Sequence, residues 1–176
     1  VTAVVVLAGL AGCGAGKPTA SATPQSATPS PSTAQATPPP TLPAQARQRT
    51  AQGAASFAGY WWQVVDRAYQ QMDVAGLRAF ALPACATCVR LIDGTERDRS
   101  VGVRYAGGRI SMQAVRTVAA NRTGIWLRTT VAQQPLRIAD AAGTVVRSTK
   151  AQTTRFVLGL VWTGAGWRVA AMEVER

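Results

Sequence analysis

The segment Thr154-Arg-Phe-Val-Leu-Gly-Leu-Val-Trp-Thr-Gly-Ala-Gly-Trp-Arg-Val-Ala-Ala171 decides the fold. Thr154, Phe156, Leu158, Leu160 and Trp162 alternate with a period of two, which puts them on one face of a strand. Gly164-Ala-Gly166 then reverses the chain into Trp167, Val169 and Ala171, which predicts an antiparallel hairpin. The same period runs upstream. Ile125, Leu127, Thr129 and Val131 share a face with Arg128 opposite, as a half-solvated sheet requires. Ile110, Met112, Ala114 and Val118 are expected to share another, and Asp140-Ala-Ala-Gly143 reads as a turn.

Before Arg109 the period changes to that of helices. Phe57, Trp61, Val64, Val65, Ala68 and Met72 fall on one face of a helix from Ala51 to Met72. Asp73 stands where an N-cap should, ahead of a short helix Val74 to Phe80, with Pro83 closing it. A third helix is expected from Thr87 to Arg97, with Val89, Leu91 and Ile92 on its packed side, followed by a loop Ser100 to Gly108. Helices followed by an antiparallel meander give an α+β domain from Gln45 to Arg176, about the length of one ordinary domain.

The residues before this domain have a different character. Leu10-Ala-Gly-Cys13 closes an apolar stretch and fits a lipoprotein signal, with residues 1–12 as signal segment and Cys13 as the lipidated residue. A secretory segment opens on positive charge and this one opens on Val1, so the chain is expected to start downstream of the initiator. Twelve residues are too few for a hydrocarbon core that needs about 20. Residues 13–44 hold eight prolines among Ala, Ser, Thr and Gln. Such a stretch buries too little apolar surface to fold, and a disordered stalk of this length reaches on the order of 30 to 90 Å. The expected location is therefore outside the cell, anchored to the outer face of the cytoplasmic membrane.

Charge narrows the partners. The chain has 19 Lys plus Arg, 8 Asp plus Glu and no His, for a formal net charge of +11. The arginines are widely spaced, with no dense run and no stacking motif, which excludes the nucleic-acid classes. A lipid chain with a basic surface makes a two-signal anchor on an anionic membrane.

Chemistry-bearing residues are few. With no His, the Ser-His and Cys-His nucleophile pairs are absent. Cys85 and Cys88 have C-x-x-C spacing, which suits a redox couple, half a zinc site or a structural disulfide. Zinc fails for want of two further ligands. A redox couple fits the position ahead of a helix but lacks a βαβ context. A closed bridge fits an oxidising exterior. Among the five tryptophans, Trp61, Trp162 and Trp167 are expected in packing roles, whereas Trp62, Trp126 and Tyr60 are the candidates to meet a ligand, whether small and apolar or glycan-like. No catalytic residue, metal site or cofactor is assigned.

The aromatic first helix, the short helix opened by Asp73 and the hairpin Val161-Trp-Thr-Gly-Ala-Gly-Trp-Arg-Val169 resemble the nuclear transport factor 2-like (SnoaL-like) cone. The lipobox, the stalk, Ala54-Ala-Ser-Phe-Ala-Gly-Tyr-Trp-Trp62 and Cys85-Ala-Thr-Cys88 together resemble an actinobacterial lipoprotein family of unknown function. The resemblance implies N-terminal helices packed on a curved antiparallel sheet, and a homodimer through the open sheet. Ketosteroid isomerases and polyketide cyclases share the cone and use a buried carboxylate or His. Here that would fall to Asp66 or Asp93, although Asp66 is expected to be solvated, Asp73 to be a cap, and Tyr60, Tyr69 and Tyr105 to pack with hydroxyls at the rim. The leading expectation is a non-catalytic module that binds a small ligand or an envelope protein. A carboxylate isomerase or a thiol-disulfide protein is the alternative.

Overall fold

The computed structural model describes residues 38–175. The chain divides into two units, Val1–Gln35 and Ala36–Arg176, and the described residues belong to the second. The signal segment, Cys13 and most of the stalk lie outside them.

Among the described residues a 3-10 turn at Ala44–Arg47 precedes three α-helices: α1 (Ala51–Gln71), α2 (Ala75–Phe80) and α3 (Ala86–Ser100). Seven strands follow: β1 (Arg104–Gly107), β2 (Ile110–Ala120), β3 (Ile125–Gln133), β4 (Leu136–Ala139), β5 (Val145–Thr149), β6 (Gln152–Thr163) and β7 (Gly166–Val174). They form two antiparallel sheets, in the orders β2-β3-β6-β7 and β1-β4-β5. The expected α+β class, helices first and then antiparallel strands, is the one observed.

Thr50 starts α1, its hydroxyl accepting from the Gly53 N–H at 3.0 Å. The helix buries Phe57, Trp61, Val64, Val65 and Ala68 against the inner face of the larger sheet, as its periodicity requires. Leu127, Leu158, Leu160 and Val169 meet it there. Leu42 and Ala46 also pack on this core, so folded structure begins ahead of Gln45. In α3 the buried positions are Cys88, Ile92 and Thr95, whereas Val89 is exposed, one step round the helix from the packed stripe.

The second sheet was not legible as such. The expected loop Ser100 to Gly108 contains β1, and β1 runs into β2 through a bend at Gly107 and Gly108, both at positive φ (76° and 68°). A Cβ on Gly107 would lie 2.4 Å from the Pro135 carbonyl oxygen. Opposite, β3 breaks into β4 at Gln134 and Pro135, where proline removes a ladder donor. Gly108 N–H donates to the Pro135 carbonyl at 2.8 Å and Gln134 N–H to the Arg109 carbonyl at 2.9 Å, so both strands bend at one level.

Bulges correct three face assignments. Register shifts between Met112 and Ala114 and between Thr117 and Ala119 turn β2 over, so Val115 faces inward while Ala114 and Val118 are exposed. A shift between Gly159 and Leu160 does the same to β7, where Met172 is buried and Ala171 only half-buried. Asp140–Gly143 is a turn as read, with the Asp140 carboxylate accepting from Thr144 N–H at 2.9 Å.

Candidate functional site

The cavity that best fits a small molecule lies between α1, α3 and the inner face of the larger sheet, with a volume of about 200 Å³. Val65, Leu91, Ile110, Val131, Phe156 and Met172 supply its apolar wall. Trp62 closes one side, its ring 4.9 Å from that of Phe156. The Trp62 indole N–H donates to the fully buried Thr129 hydroxyl at 3.2 Å, which satisfies both groups and fixes the ring. The polar part of the lining is Tyr69, Thr87, Gln133, Gln152 and Thr154. Gln133 and Gln152 face each other in register, and the Gln152 amide donates to the Gln133 carbonyl at 3.0 Å.

The lining holds no ionisable carboxylate, amine or guanidinium. Its one titratable group, the Tyr69 phenol, has its pKa raised by burial and then by the nearby Asp98 charge, so it stays neutral at ordinary pH. Such a wall can hold an apolar body and exchange a few hydrogen bonds with a neutral polar group.

The three sequence candidates separate. Trp62 is buried on the cavity wall. Tyr60 is buried elsewhere, packed edge-on to Phe80 at 5.2 Å and 6.1 Å from Phe57, with its phenol pKa raised by burial. Trp126 precedes inward-facing Leu127 and so lies on the opposite sheet face, where its indole covers Gly159, the residue paired with it. The Gln133, Gln152 and Thr154 rim was missed. Its signal was strand parity: Gln133 continues the inward series Leu127, Thr129, Val131, and Gln152 and Thr154 continue Phe156 and Leu158.

The acids lie away from this cavity. Asp66 is buried rather than solvated: one carboxylate oxygen accepts from the Ile110 N–H at 2.7 Å and the other meets Arg109 at 3.1 Å. It ties α1 to the strand bend. Asp93 is exposed on α3. Asp73 accepts from Ala75 N–H at 3.0 Å and pairs with Arg67 at 3.3 Å; the backbone bond is the main reason its pKa is lowered. The Tyr105 hydroxyl donates to Asp98, and burial followed by that bond pushes its pKa up. This is an acid beside a phenol, yet neither residue lines the cavity.

Cys85 and Cys88 are joined by a disulfide and both are buried, at 1% and 0% exposure. The Cys85 sulfur also caps α3, accepting from Cys88 N–H at 3.3 Å. Among the described residues no group of three or more His, Cys, Asp or Glu is placed to hold a metal. No helix among them is long and apolar enough to cross a membrane.

A model of DUF6318, a family of unknown function, matches residues 24–173. No curated protein matches the chain in sequence. Among solved structures the chain is similar to the intermembrane space region of the chloroplast protein ARC6, at 17% identity and a TM-score of 0.56, over 72% of this chain and 97% of that one. It is less similar to Aln2 from a Streptomyces species, at 13% identity and a TM-score of 0.47, over 72% and 92% of the two chains. An uncharacterized protein with a cystatin-like fold from Caulobacter vibrioides aligns at 11% identity and a TM-score of 0.44, over 70% and 89%. At such identities the likeness is one of fold, and fold does not carry activity.

Proposed function

We propose that this chain, which belongs to the DUF6318 family of unknown function, is an exported, lipid-anchored protein of the cell envelope that binds a small neutral amphiphile without transforming it. The observation that carries the reading is the composition of the cavity between α1, α3 and the sheet. Apolar and aromatic side chains make its body, uncharged polar groups make its rim, and the lining holds no carboxylate, amine or guanidinium, its one titratable group being the Tyr69 phenol that burial keeps neutral. A volume of about 200 Å³ suits a small body or the end of a longer chain, below the ~300 to 1,000 Å³ of drug-sized sites.

The anchoring half of the proposal rests on Leu10-Ala-Gly-Cys13 and the proline-rich stretch after it. The disulfide supports export, since such bridges persist in oxidising compartments. Its burial supports a structural bridge over a thiol-disulfide exchange centre, which needs an accessible sulfur.

The test is native against denaturing mass spectrometry of the chain purified from an actinobacterial host. A small neutral molecule released on denaturation is expected. An empty cavity, together with crosslinks from the domain to one envelope protein, would replace ligand binding with protein docking.

A further inference from the structure

Between the tip of the β6–β7 hairpin and the 3-10 turn a second concavity of about 280 Å³ opens, and its chemistry differs from that of the first. Trp162, Trp167 and Phe80 line it together with Arg47 and Arg168, and no carboxylate shares the lining. We infer that this groove is a binding site for an anionic saccharide, a sugar ring that carries a carboxylate or phosphate.

The two indoles form a corner. Their centroids are 5.1 Å apart and their planes cross at 82°. The Trp167 N–H donates to the Gln48 carbonyl at 3.0 Å and its ring is buried, so it backs the corner and pins it to the chain ahead of α1, whereas Trp162 is half-buried and presents the accessible face. A flat indole face packs against the C–H face of a sugar ring. Gly164, Ala165 and Gly166 make the lip, so no bulky side chain closes it.

The charge is placed as well. The Arg168 guanidinium lies 5.4 Å from the Phe80 ring centroid and donates to the Trp167 carbonyl at 2.9 Å, so it is held over the groove before any ligand arrives. Arg47 is exposed on the 3-10 turn and lines the same groove. Among the described residues neither arginine has a carboxylate partner. Guanidinium forks match carboxylate and phosphate oxygens in a way that a diffuse positive surface does not. A neutral sugar would leave both arginines unused, and a bare phosphate would leave the accessible Trp162 face unused. A ring bearing an anion uses Trp162 and both arginines.

The experiment is calorimetric titration of the full chain with trigalacturonate and, separately, with a neutral galactose trisaccharide and inorganic phosphate. The chain is expected to bind trigalacturonate saturably. Affinity should fall by about tenfold or more in Arg47→Ala/Arg168→Gln and against the neutral trisaccharide, the scale of a lost charge-assisted bond. Arg137→Ala, an exposed arginine on β4 outside the groove, should bind as the parent does, and Trp162→Phe should bind more weakly with an unchanged melting curve. Equal loss in Arg137→Ala would assign the binding to diffuse charge and overturn the site. So would phosphate binding as tightly as trigalacturonate, equal affinity for the neutral trisaccharide, or no heat with any probe at millimolar concentration.

Discussion

Asp66 shows how far a single residue can be read from its neighbours in sequence. Its place on α1 between Val65 and Arg67 gives no sign that its partner is the Ile110 N–H, 44 residues on. β2 is an edge strand, and the Gln134 N–H to Arg109 carbonyl bond makes Ile110 and Gln133 a non-hydrogen-bonded pair, so the Ile110 N–H points away from the ladder and the buried carboxylate takes it as a structural group. Asp66→Ala is expected to cost about 2 kcal/mol, because it strands a buried donor. Asp66→Asn should cost less, since an amide oxygen still accepts and the lost pair with the largely exposed Arg109 contributes little. Urea denaturation of both variants checks the order. Tyr69 and Tyr105 give a pH dependence. Both phenols have folded pKa values raised above 10.0, so the unfolded chain ionises first. Their contribution is intact below pH 10 and declines as pH rises from there toward the folded values. The urea midpoint should fall above pH 10 and fall less steeply in Tyr105→Phe. Asp73 works in the opposite direction: its folded pKa is lowered from 3.8, so its contribution is present above that value and lost as pH falls further.

At the scale of elements, periodicity read the long pieces and missed the short ones. α1, α3, β3, β6 and β7 each carry enough apolar positions to declare a period, and all lie near where that period puts them. β1, β4 and β5 span four or five residues, too short for alternation to stand out, and β1 and β5 are mostly exposed. The bulges in β2 were invisible for another reason: an extra residue on one strand is decided by the partner strand. The bend between β1 and β2 is sensitive to change. Gly107→Ala places a Cβ against the Pro135 carbonyl at positive φ and is expected to destabilise by about 1–2 kcal/mol or more. Gly143, also at positive φ but with open space around it, should tolerate Asn with a loss under about 1 kcal/mol. The disulfide closes a small loop across the N-terminus of α3, from its cap Cys85 to Cys88 in the first turn, and contributes about 2 kcal/mol on the chain-entropy account. Cys88→Ser should therefore lower the melting temperature without altering secretion, and an unchanged melting curve would contradict the structural role.

For the whole molecule, among the described residues the helices and the larger sheet line an uncharged cavity, and an aromatic, cationic groove lies at the other end of β6. The α+β architecture, helices first and then antiparallel strands, was legible because its order of elements is written in the periods. The cavity was legible only in part. Trp62 was singled out because it sits beside the packed helix stripe, while Trp126 and Tyr60 share its chemistry but not its location. The glutamine pair was hidden because the eye follows apolar residues along a strand, and the informative residue was the polar one in an inward place. The central claim is that the cavity is occupied by a small neutral molecule. The most direct measurement is native mass spectrometry of the parent chain beside Thr154→Phe, which fills the mouth from a half-buried rim position. The account predicts a mass difference between native and denatured parent that disappears in Thr154→Phe while both melt alike. An identical mass difference in the two, or none in either, would contradict it.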